Sequence, residues 1–180
     1  MAAGVIRRAS LLSALLALAL FAAGCFAPTG GPGSAAPATP QSALSPAIDA
    51  ARAAVAAQLQ SGGFTLEAPV SGYEPGAPGD LQATPKAVFR VNVIDPGQGW
   101  VVIYDAGAND AAIDKGEAFA AYLTSFGHSN YPADAQYTLN VLDSALIFHW
   151  WSAQRSSDAE RARAAFELVS AVGHRIDVVG

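Results

Sequence analysis

The residues of this chain with the widest chemical repertoire are three histidines, His128, His149 and His174, and one thiol, Cys25. Each histidine falls in a different expected element. No His-Glu-x-x-His run and no paired Cys/His spacing joins them, so no metal site is expected. Asp143, Ser144 and His149 are close in sequence and carry the residue types of a hydrolytic triad. A triad depends on geometry, not on proximity along the chain. Asp143-Ser144 is also ordinary turn chemistry between strands, and no Gly-x-Ser-x-Gly run is present. The run DAGANDAAIDKGE holds Asp105, Asn109, Asp110, Asp114 and Glu117, superficially a loop of oxygen ligands. Counting from Asp105, the third position is Gly107 and the sixth is Asp110, which breaks the EF-hand pattern. The run reads instead as a strand end, a turn and a helix start with acids in its first turn, where the helix dipole favours them. The glycine-rich pieces TGGPGS and GYEPGAPGD lack the lysine and the strand-loop-helix context of a phosphate loop. No catalytic residue, metal or cofactor is therefore expected.

The most suggestive group is aromatic. Trp100, Tyr104, Phe148, His149, Trp150 and Trp151 all fall on expected strands. Neighbouring strand residues point to opposite faces, so Trp150 and Trp151 cannot both enter one helix-covered core. One of them should lie on the outer face, near an edge or under a loop. An exposed strand tryptophan beside polar groups binds partners or amphipathic ligands. Trp100, Tyr104, His149, Trp150 and Trp151 are accordingly the candidate ligand or partner surface. The alternative is that the loop Ser71 to Pro85 covers them as a second, minor core.

The elements that position these residues can be read in order. Ser45-Pro46 supplies an N-cap and a first-turn proline. A helix is expected over Ala47 to Gln60, with Ile48, Val55 and Leu59 on one face and Gly62-Gly63 as its stop. An extended piece, FTLEAPV, precedes the loop SGYEPGAPGDLQATP. From Val88 the period becomes two. Phe89, Val91 and Val93 share one face, with Arg90 and Asn92 on the other. WVVIYDA follows after PGQG, so the two runs form an antiparallel hairpin. Asn109 or Asp110 caps a second helix, running to about Phe126. It carries Ile113, Phe119, Ala120, Leu123 and Phe126 on its apolar stripe and ends at Gly127. QYTLNV, the turn LDSA and LIFHWW form a second hairpin, with Tyr137, Leu139 and Val141 alternating with Thr138 and Asn140. Ser157 to Glu160 fits the S-x-x-E capping box and opens a helix burying Ala162, Phe166, Val169 and Val172. HRIDVVG is a short strand or a tail. The fold class is α+β: an antiparallel sheet of about four strands, in two hairpins, with three helices packed mainly on one face. The other face would look toward solvent or a partner.

The lone thiol has its own context. Arg7 and Arg8 precede an apolar run from Leu11 to Ala23, which includes Ser13. At 13 residues it has the length of a signal-peptide core. That is short of the ~20 that span a bilayer. Ala22, Ala23 and Gly24 then lead to Cys25. The arrangement resembles the lipobox of bacterial lipoprotein precursors, with Ala22 where that family usually has leucine. The resemblance implies that Cys25 receives a diacylglycerol and that cleavage before it makes it the new, often acylated (palmitate), N-terminus. It also implies localisation on the extracytoplasmic side of the cell membrane. Phe26, in place of aspartate, is compatible with onward transport to the outer membrane. The anchored partner would be a lipid bilayer; two or more acyl chains hold far better than one.

Residues 26 to 44 carry no charge and are dominated by Pro, Gly, Ala, Ser and Thr. They cannot bury enough apolar surface to offset their ordering entropy, and as a coil reach roughly 25 Å. The chain thus divides into a signal peptide at 1–24, a lipidated cysteine and linker at 25–44, and one domain at 45–180. That domain resembles in layout the small lipid-anchored bacterial α+β domains of no assigned function, through runs such as AVFRVNV, GWVVIYDA and ALIFHWW; no site residue follows from that resemblance. The formal net charge is −5, and without Arg7 and Arg8 the remaining 8 basic and 15 acidic residues give −7. With no basic cluster after Arg8, nucleic acid is not an expected partner. The leading expectation is a non-catalytic binding or interaction domain for an envelope protein or a small amphipathic ligand. Its rivals are a small envelope hydrolase using His149 with an acid such as Asp143 or Asp105, and a structural envelope protein.

Overall fold

A computed structural model describes residues 43–93, 99–125 and 127–178. Cys25, the apolar run before it, the linker as far as residue 42 and Phe126 lie outside the described residues. So do residues 94–98 of the first hairpin turn.

The described chain begins with α1 (Pro46–Ser61). The Ser45 hydroxyl accepts the Ile48 N–H, Pro46 occupies the first turn, and Gly62 closes the other end. Ile48, Ala51, Val55 and Leu59 form its buried stripe. A short helix, α2 (Gly79–Gln82), lies inside the Pro/Gly-rich segment expected to be entirely loop. The first hairpin is β1 (Lys86–Arg90) and β2 (Trp100–Asp105), paired antiparallel with Val88 opposite Val102. α3 (Asn109–Ser125) follows; it starts on Asn109, so this residue lies within the helix instead of capping it. A 3-10 turn, Gly127–Asn130, leads to the second hairpin, β3 (Gln136–Leu142) and β4 (Ala145–Trp151). Its two-residue turn places Asp143 in the left-handed region, φ 52°. α4 (Ala159–Ser170) is capped by Asp158, whose carboxylate accepts the Arg161 N–H at 2.9 Å. The expected cap, Ser157, is thus one residue off. β5 (His174–Ile176) forms from the segment that read as strand or tail.

Among the described residues the strands form one antiparallel sheet of order β1-β2-β4-β3-β5. The fold class is α+β as expected, with β5 and α2 beyond the expected elements. The helices do not gather mainly on one face. On one face α1 and α4 cover Phe89, Val101, Ile103, Ala145 and Ile147. On the other, α3 and the loop before β1 cover Val102, Tyr104, Leu146, Phe148 and Trp150. The physical reason is visible in the runs themselves. WVVIY is continuously apolar and ALIFHWW is broken only by His149, the pattern of strands covered twice, and every residue of β4 is buried. Gly116 lets α3 approach the sheet; a Cβ there would lie 3.1 Å from the Ile176 Cγ1.

The two-sided cover also reverses the expectation for Thr138 and Asn140. Both are fully buried beneath α4. The Thr138 hydroxyl donates to the Asn140 Oδ1 at 2.9 Å, and the Asn140 Nδ2 donates to the Val169 carbonyl at 2.9 Å. Each buried polar atom thereby finds a partner, and α4 is tied to β3. At the β1 edge, the extended segment after α1 pairs irregularly: Glu67 N–H donates to Arg90 O and Val70 N–H to Val88 O. An edge padded in this way is less available for pairing with other chains.

Candidate functional site

The strand parity expected for the two tryptophans holds, but neither is exposed. Trp150 lies on the α3 face and Trp151 on the α4 face, at 6% and 5% exposure. Trp151 packs on Phe166, ring centroids 6.2 Å apart. Trp150 is covered by the loop after the extended segment, here called the strap (residues 70–78). Its indole Nε1–H donates to the Tyr73 hydroxyl at 3.0 Å, and the Tyr73 ring stacks on Trp100 at 4.9 Å and 8°. Tyr131 completes the layer, against Trp150 at 5.5 Å, and its hydroxyl donates to the Gly76 carbonyl at 3.0 Å. Tyr104 is fully buried. Burial, with the nearby Tyr73 and Glu74 charges, pushes its phenol far up; its hydroxyl has no hydrogen-bond partner among the described residues. Of the five residues expected to form an aromatic surface, only Trp100 keeps partial exposure. The others are core: Trp150 lies beneath the strap and Tyr104 beneath α3, on the face that a one-sided sheet would have left open, while His149 and Trp151 lie beneath α4.

His149 is buried on the α4 face. The Trp100 carbonyl can only accept, so its 2.8 Å contact places a proton on His149 Nδ1. Burial lowers the imidazole to about 4, partly opposed by that hydrogen bond. The ring is neutral and lies against Phe166 at 5.8 Å. Neither acid of the hydrolase reading approaches it. His149 pairs with Val101, whereas Asp105 pairs with Ala145, four residues along the strand. At about 3.3 Å per residue that is roughly 13 Å. Asp143 and Ser144 occupy the turn beyond that same end. The geometry therefore does not assemble a triad.

The oxygen-rich run serves local structure. The Asp105 carboxylate accepts the Gly107 N–H at 2.9 Å, and the Asn109 Nδ2 donates to the Asp143 carbonyl at 2.9 Å. Among the described residues, no three His, Cys, Asp or Glu side chains gather as a metal-ligand group. Asp134 has a structural task. It accepts the Ser152 hydroxyl at 2.6 Å and the Gln154 N–H at 2.9 Å, which hold its carboxyl below the usual range.

What remains open is concave surface. A groove of about 540 Å³ runs beside β1, between the start of α1 and the strap. Leu44, Ile48, Val70 and Val88 give it apolar walls; Tyr73 and Lys86 bring polar groups to it. The Lys86 ammonium is 3.1 Å from the Glu74 carboxylate. A second groove, about 560 Å³, lies near β5 with His128, Gln136, Tyr137 and Arg175 among its walls. Sequence reasoning passed over Tyr73, Glu74 and Lys86. The available signal was the single aromatic in the Pro/Gly-rich segment SGYEPGAPGD, a residue with little reason to be there unless it packs on something. Neither a family model, nor a curated protein, nor a solved structure matches the chain.

Proposed function

We propose that the chain is a lipid-anchored, extracytoplasmic lipoprotein whose folded part is a non-catalytic binding or interaction domain. The observation that carries the anchor is the sequence from Arg7 to Cys25: basic residues, a short apolar core, small residues and the lone thiol. Two or more acyl chains on Cys25 would hold the domain at a bilayer, with residues 26–44 as the tether. The binding reading is supported by the ways the titratable groups are used. His149 is locked in a core and the clustered acids serve turns and caps. The groove beside β1 has the volume range of small-ligand sites, and Tyr73 in its wall stacks on Trp100.

Intact mass of the full chain extracted from its membrane tests the anchor. The expected product begins at Cys25 and carries diacylglycerol, with or without a further acyl chain. A free thiol with residues 1–24 still attached overturns the anchor. Cys25→Ser should abolish both cleavage and modification.

A further inference from the structure

We propose that the groove beside β1 binds a small amphipathic carboxylate, its head group on Lys86 and its apolar body against Leu44, Ile48, Val70 and Val88. This inference rests on the binding-domain reading and names its ligand class.

The Lys86–Glu74 ion pair is asymmetric. The Lys86 side chain is 19% exposed and that of Glu74 is 79% exposed. Lys86 starts a paired strand, and its ammonium also lies 3.4 Å from the Gln82 carbonyl of α2. Its position is fixed from both sides. Glu74 sits on the strap, where no backbone N–H from Ser71 to Ala77 donates a hydrogen bond among the described residues. An ion pair with so exposed a partner contributes little stability. The carboxylate can turn into water while the cation stays. The groove then presents a partly desolvated ammonium without its counter-charge, beside apolar walls. Such a cation favours an incoming carboxylate through a charge-assisted hydrogen bond. One ammonium matches one negative charge; a dianion would also meet Glu74 nearby. A cationic head group would have to compete with Lys86 for Glu74, which solvent already serves.

Octanoate is the probe, with 1-octanol as its uncharged counterpart. The full chain is placed in lipid nanodiscs, with empty nanodiscs as blank, and tryptophan fluorescence is followed, because Tyr73 couples the groove wall to Trp100. Octanoate should saturate, and octanol should bind at least about tenfold more weakly, given the strength of charge-assisted hydrogen bonds. Lys86→Met, which keeps the stem, should weaken octanoate by about tenfold or more, and Lys86→Arg should retain it. Glu74→Gln should bind at least as tightly as the unaltered chain. Absence of saturable octanoate binding, equal binding of octanoate and octanol, or unchanged octanoate binding by folded Lys86→Met each overturns the proposal. The octanol comparison needs no variant, so a Lys86→Met chain that fails to fold does not remove the test. A lipidated Cys25 combined with failed octanoate selectivity overturns this inference alone. An unmodified Cys25 combined with selective octanoate binding overturns the anchor and leaves the groove assignment standing.

Discussion

The two faces of the sheet are built differently. The α1/α4 face is a mainly aliphatic layer, with Phe89, Trp151 and Phe166 within it, under two capped helices, and its buried polar groups are tied into it: Thr138 to Asn140, Asn140 to Val169, His149 to Trp100. The opposite face is aromatic, and α3 covers only part of it. The rest is closed by the strap, which holds through side chains: Tyr73 on Trp100 and Trp150, and Gly76 under Tyr131. One face is fixed by regular secondary structure, the other in part by contacts that can be released singly. Local stability follows such differences in backbone hydrogen bonding and packing. It is therefore reasonable that the groove opens beside the strap.

The comparison can be broken first by truncation. Ile147→Ala, in the helix-covered core, should cost about 2–5 kcal/mol in denaturant unfolding. Tyr73→Ala should cost far less, on the order of 1 kcal/mol, because the strap can open and let water serve Trp150. Equal costs would show that the strap is as integral as the helices.

Acid should act on the helix-covered face. The His149 imidazole sits near 4 when folded and near 6.5 when unfolded, so the unfolded chain binds the proton first as pH falls. Stability is full above about 6.5, declines toward 4 and levels below it. By 1.36 kcal/mol per unit the loss is about 3 kcal/mol. Asp134 titrates lower, since the Ser152 hydroxyl and the Gln154 N–H hold its folded carboxyl beneath the usual carboxylate range; its contribution is lost only in that more acid range. Unfolding free energy measured across pH 4–7 should slope for the unaltered chain and flatten for His149→Gln. A slope surviving in that variant would contradict the assignment.

The smallest expected effect concerns α4. Asp158→Ala should cost about 1 kcal/mol as the loss of an N-cap, and Ser157→Ala less than that. The reverse order in thermal unfolding would restore Ser157 as the cap.

Much of this architecture was legible in the sequence, for local reasons. Ser45-Pro46 and Gly62 bound α1 because capping chemistry acts within one turn. Both hairpins appear because period-two alternation and turn residues are also local. The cap of α4 was misplaced by one residue because Ser157 and Asp158 are both competent caps, and only the packing of Ala162, Phe166 and Val169 selects between them. Coverage of the second sheet face by the Ser71 to Pro85 loop was weighed as an alternative, but cover by α3 was missed, although VVIY and ALIFHWW carried the signal: a nearly continuous apolar strand run requires two lids. The site was the least legible part. Tyr73, Glu74 and Lys86 are joined by the path of an irregular strap, and no periodicity encodes that path. The aromatic residues were found, but their burial depends on covers that no strand pattern encodes: the strap over Trp150, α3 over Tyr104, and α4 over His149 and Trp151.

Residue-resolved hydrogen exchange of the full chain tests the contrast between the faces most directly. The account predicts that the amides of Gly72, Tyr73, Glu74, Gly76 and Ala77 exchange with little protection, since none donates a hydrogen bond among the described residues. Those of Ile147 to His149 in β4 should exchange only through global unfolding. Comparable protection in the strap and in β4 would contradict it.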